Sequence, residues 1–149
     1  MAVTLQQVLQ QLDTDEPNYP AIAAMGPEAV PHLAALVRGD DPGLASKAAY
    51  LASLIPGDQT MEVLEQAAAS QHEIVRVAAA AGLRNVANEK AVPVTERLLD
   101  DTDPGVRKQA IRAAVALGSE SLDTKVRAMS SRAPDRSLRA IAAAELEPS

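Results

Sequence analysis

The 149-residue sequence contains no cysteine, tryptophan or phenylalanine, and its only aromatic rings besides two histidines are Tyr19 and Tyr50. Without cysteine there are no disulfides, thiolate metal ligands or thiol nucleophiles. The near-absence of aromatics removes stacking platforms for nucleobases and the walls of a deep apolar pocket. With only His32 and His72 available, a multi-ligand transition-metal site is disfavoured. The seven glycines are scattered and frame no phosphate-cradling loop. No Gly-x-Ser-x-Gly elbow marks a nucleophile. Nowhere do apolar residues run long enough to span a bilayer, and the N-terminal MAVTLQQVLQQLD lacks a basic segment followed by an apolar core. A cytoplasmic, non-membrane protein is the expectation.

Hydrophobic residues nevertheless make up 47% of the chain, so its core has to be alanine and leucine. Each buried methylene contributes only about 0.8 kcal/mol, and many small contacts must replace a few large ones. Aromatic and β-branched runs are scarce, which favours many short helices over a sheet.

The net charge of −6 is unevenly spread. Residues 1–75 carry two cations, Arg38 and Lys47, against ten carboxylates, while residues 76–149 carry twelve cations against ten. An acidic front half and a slightly basic rear half allow head-to-tail self-association as one reading. Ordinary solvated surface is the plainer one.

One stretch organises the rest. Asp103–Gly118, DPGVRKQAIRAAVALG, opens on an Asp-Pro turn and places Val106, Ala110, Ala114 and Leu117 on one helical face. The same register recurs 31 residues earlier from His72, another 31 earlier from Asp41, and 32 later from Asp135. A period of this size marks stacked helical hairpins, each burying its apolar face against the next. Alanine returns at the equivalent positions 48, 79, 110 and 142, where one helix is expected to cross its neighbour closely. First helices are predicted from Pro27, Asp58, Glu89 and Ser119, with Ala-Val-Pro placing Pro31 and Pro93 early in two of them. Ahead of these, Thr4 and Gln7 form a capping-box pattern and Asp13 to Asn18 break the first helix. The reading is one repeat domain: an irregular capping hairpin over residues 1–25, then regular hairpins over 26–57, 58–88, 89–118 and 119–149.

The Asp-Pro-x-Val-Arg-x-x-Ala-x-x-Ala-x-x-x-Leu-Gly pattern of Asp103–Gly118 resembles the HEAT repeat family, in particular its short bacterial form, also called HEAT-like or phycobilisome-lyase repeats. The resemblance covers about residues 26 to 147 and implies an all-α, right-handed α-solenoid. It also implies a binding surface, with the second helix of each hairpin on the concave side. Arg76, Arg107 and Arg139 occupy the family's arginine position, which implies pairing with an acidic turn residue, Asp101 or Asp103 in the case of Arg107. The family includes iron enzymes whose ligands are His-Glu pairs directly after the Val-Arg position. Here those positions hold Ser46-Lys47, Val77-Ala78, Lys108-Gln109 and Ala140-Ile141, and His72-Glu73 falls in a turn, where helix capping accounts for it.

What remains is the side of the second helices opposite the apolar stripe. Projection leaves Ser46, Tyr50 and Ser53, then Val77, Ala81 and Arg84, then Lys108, Arg112 and Val115 on that side. Tyr50, Arg84, Lys108 and Arg112 are the expected partner-binding residues, since Tyr and Arg dominate interface energetics. No catalytic, cofactor or metal residue is assigned. The expected function is a non-catalytic adaptor, scaffold or assembly factor that binds a partner protein, acidic where it meets Arg84 and Arg112. A bilin lyase or lyase accessory is the family-based alternative. Nucleic acid is disfavoured by the negative charge and the missing rings, although Arg76, Arg84, Lys108 and Arg112 offer cations.

Overall fold

A computed structural model describes residues 2–86, 89–132 and 136–146 of the chain. Among the described residues there are ten α-helices and no strand. They are α1 (Leu5–Leu12), α2 (Tyr19–Ala23), α3 (Val30–Val37), α4 (Pro42–Ser53), α5 (Gln59–Ala68), α6 (Glu73–Leu83), α7 (Ala91–Leu99), α8 (Pro104–Leu117), α9 (Glu120–Arg132) and α10 (Arg136–Leu146).

Local chemistry accounts for where these helices start. Thr4 Oγ1 accepts from Gln7 N at 3.2 Å while Gln7 Oε1 accepts from Thr4 N at 2.9 Å, closing the expected capping box on α1. Asp41 and Asp103 cap α4 and α8 by accepting from Leu44 N at 3.1 Å and Val106 N at 3.0 Å, each ahead of a proline at the first helical position. His72 holds the equivalent N-cap place on α6, but its side chain makes no capping bond. Capping by His72 is therefore corrected: position and extended backbone are kept, and Ser70 Oγ instead accepts from the His72 amide at 3.2 Å. Glu73 in the first turn still supplies a carboxylate to the helix N-terminus. Asp135, the predicted opening of the last copy, lies outside the described residues. Gly118 ends α8 in the left-handed conformation at φ +66°, which a residue with a side chain rarely adopts.

The hairpins stack in two layers. Within each, α3 packs on α4, α5 on α6, α7 on α8 and α9 on α10; between them, α4, α6, α8 and α10 follow one another in one layer and α3, α5, α7 and α9 in the other. First helices bury Leu33, Leu64, Leu98 and Leu122, and second helices bury the recurring Ala48, Ala79, Ala110 and Ala142 beside Leu51, Leu83 and Ile111. Small residues let the second helices pack on one another more extensively than the first helices do.

α6 approaches α4 closely at Gly82. A Cβ built on Gly82 would stand 2.9 Å from Ser53 Cβ and 3.1 Å from Leu64 Cδ2, so only glycine fits at that point of α6.

Candidate functional site

The arginine position serves the joints between helices. Arg76, near the start of α6, donates from Nη1 to the Ser70 carbonyl at 2.9 Å, closing the α5–α6 turn. Arg107 repeats the contact 31 residues later, donating to the Asp101 carbonyl that follows α7. Pairing of Arg107 with an acidic side chain is thus corrected, because its partner is backbone oxygen. The Asp101 carboxylate is taken by Arg76 from the preceding repeat, with Nε to Oδ2 at 2.9 Å and Nη2 to Oδ1 at 3.2 Å. Asp101 Oδ1 also accepts from the Asp103 amide at 2.9 Å. These two arginines therefore hold helix ends together.

The free side of the second helices is less uniform than a helical projection implies. Tyr50 is half-buried and meets Tyr19 of α2 edge-on, with ring centroids 5.2 Å apart and planes at 76°. The two tyrosines form one aromatic edge between the N-terminal hairpin and α4. Burial raises the Tyr19 phenol above its ordinary value, and the neighbouring Tyr50 raises it further. Ser53 is also corrected. It is 5% exposed, and its hydroxyl donates to the Tyr50 carbonyl and accepts from Asn85 Nδ2 at 3.0 Å. The neighbouring helix end covers it.

Arg84 is exposed at the C-cap of α6 and Lys108 is half-buried in the second turn of α8. Neither makes an ion pair or side-chain hydrogen bond among the described residues. Arg112 is engaged, with Nε 3.3 Å from Glu145 Oε1 on α10. Val77 and Ala81 lie half-exposed on α6, one period from Lys108 and Arg112. The surface therefore runs from an aromatic edge, across a shallow floor of small apolar side chains, to a guanidinium half-neutralised by Glu145. Tyr19, Asn85 and Glu145 belong to this surface although sequence reasoning omitted them. For Glu145, a signal was present: it stands 33 residues after Arg112, one repeat further along.

Elsewhere, a cleft of about 650 Å³ between α5, α7 and α9 is lined by charges of both signs, among them Glu65, Arg97 and the Lys125–Asp100 pair. His32, isolated in sequence, has its Nε2 2.6 Å from the Val3 carbonyl and ties α3 to the N-terminal segment. Among the described residues, no group of three or more His, Asp and Glu side chains is placed to hold a metal ion, and no helix is long and apolar enough to cross a membrane.

The family model for HEAT repeats matches residues 60–147, more than half of the chain. The chain belongs to the HEAT repeat family. Among solved structures it is similar to a chain from "The structure of the complex of CpcE and CpcF of phycocyanin lyase from Nostoc sp. PCC7120". The TM-score is 0.79 at 19% identity, and the match covers 96% of this chain and 98% of that one. At that identity the likeness concerns the fold. A search of curated proteins finds no match in sequence.

Proposed function

We propose that this HEAT repeat protein is a non-catalytic, cytoplasmic binding module, an adaptor, scaffold or assembly factor, that takes a segment of a partner protein along its second-helix layer. The carrying observation is the division of labour among the cations there. Arg76, Arg107 and Arg112 are used internally, whereas Arg84 and Lys108 stand on the same layer with no ion pair or side-chain hydrogen bond among the described residues. An ordered cation with no internal partner is available to a carboxylate from outside. Between the two lie small apolar side chains, Val77 and Ala81, over which a helix or extended segment passes without obstruction. The Tyr19–Tyr50 edge supplies an apolar contact at the front, and Arg112, shared with Glu145, supplies a guanidinium further back. The fold-similar chain was solved as part of a complex of two proteins, which is in keeping with a protein partner for this one.

Capture of native partners by wild-type protein and by an Arg84→Glu/Lys108→Glu variant tests the proposal. Neither side chain makes an ion pair or side-chain hydrogen bond among the described residues, so the variant should keep its helical content and lose the partner.

A second reading, a bilin lyase or lyase accessory, has the phycocyanin lyase likeness in its favour. Its difficulty is the site: the only two aromatic rings other than histidine face each other at one end of the stack. A new visible absorption band on adding bilin to the pure protein would favour this reading over the adaptor.

A further inference from the structure

The acidic front half contains a second surface of different chemistry. Where α4 hands over to α5, the loop Pro56–Asp58 runs between two clefts. One, of about 490 Å³, is lined by Pro27, Val30 and Pro31 with Glu28 and Asp58 at its rim. The other, of about 320 Å³, lies on the far side of the same loop and reaches Asn85 and Val86. The first has a mostly apolar lining and a size within the ordinary range of binding pockets, about 300–1,000 Å³. Pro27, Val30, Pro31 and Pro56 give it an apolar floor suited to an aliphatic side chain.

The charge around this cleft is unbalanced. Glu28 and Asp58 are exposed and have no side-chain partner among the described residues. The only two cations in the first 75 residues are occupied, Arg38 on Gln66 Oε1 and Lys47 on the Thr14 carbonyl. Each of the three ion pairs observed among the described residues joins residues from position 76 onward. Glu28 and Asp58 are the charged residues lining the cleft, and charge complementarity with these two carboxylates fixes the sign of what it accepts.

We propose that this cleft docks a short basic segment of a partner protein with an apolar anchor: a Leu or Val side chain seated among Pro27, Val30, Pro31 and Pro56, and flanking Lys or Arg side chains reaching Glu28 and Asp58. Its carboxylates carry the charge opposite to that of Arg84 and Lys108 on the second-helix surface. A protein with both surfaces bridges two segments of unlike charge.

The test is a fluorescence-anisotropy titration of the full chain with a labelled peptide alternating Leu and Arg, beside labelled hexa-arginine and a Leu-Glu alternating peptide. The Leu-Arg peptide should bind, and raising salt should weaken it, because screening acts over about 8 Å at physiological ionic strength. Glu28→Gln/Asp58→Asn should lower its affinity by about fivefold or more. Gln59→Trp, which fills the cleft from the first turn of α5, should do so without changing charge, whereas Arg84→Glu/Lys108→Glu should not weaken it. Hexa-arginine binding as tightly as the Leu-Arg peptide would overturn the proposal, since charge alone would then suffice. So would equal affinity of wild type and the two cleft variants, or equal binding of the Leu-Glu peptide.

Discussion

Arg76 and Asp101 form a two-pronged ion pair across the boundary between consecutive repeats, with side-chain exposures of only 17% and 10%. Because Arg76 also closes its own turn at Ser70, and Asp101 also orients the Asp103 amide, one pair couples two helix starts. Removing Asp101 leaves a largely buried guanidinium without its carboxylate, with only the Ser70 carbonyl still accepting from it. Asp101→Ala should destabilise the fold by about 1–3 kcal/mol, read from the urea midpoint at unchanged slope. In a double-mutant cycle with Arg76→Ala, the two losses should fall short of additivity.

Gly82 presents two opposed effects. Alanine is better than glycine within a helix by about 1 kcal/mol, yet its Cβ would lie 2.9 Å from Ser53 Cβ. Overpacking of this kind costs about 1–3 kcal/mol, so Gly82→Ala should lower the melting temperature. Adding Ser53→Gly should recover part of the loss by removing the clashing atom.

The same reasoning applies to the alanine ladder. Ala110 is fully buried where α8 is held between neighbouring second helices. Ala110→Leu should cost about 1–3 kcal/mol by overpacking, whereas Ala116→Leu, at an exposed position of the same helix, should change stability little. Parallel denaturant melts of the two variants make the comparison.

The tyrosine contact has a pH signature. Since the folded-state value of Tyr19 is raised, the folded protein retains the Tyr19 proton after an unfolded chain begins to lose it. Its contribution to stability is complete below the ordinary tyrosine value of about 10 and is lost as pH rises through the folded value. Ultraviolet titration of tyrosinate should show a late component from Tyr19, absent in Tyr19→Phe.

The fold was legible because its information is local and repeated. The caps at Thr4, Asp41 and Asp103 and the alanines at 48, 79, 110 and 142 each announce themselves within one period, and the structure uses them as read. Contacts between repeats were not legible. Asp101 lies closer in sequence to Arg107, yet its carboxylate belongs to Arg76, 25 residues away, because stacking brings the turn of one hairpin against the helix start of the last. A helical projection sees only its own helix, so it left Ser53 open although the end of α6 brings Asn85 over it. Tyr19 lies outside the repeating register, and nothing in the period could link it to Tyr50.

The most direct test of a binding surface on the second-helix layer is affinity capture from the native host, followed by mass spectrometry, with wild type and Arg84→Glu/Lys108→Glu side by side and helical content checked by circular dichroism. The account predicts a protein partner retained by the wild type and lost from the variant at equal helicity. An identical set of captured proteins from both would contradict it.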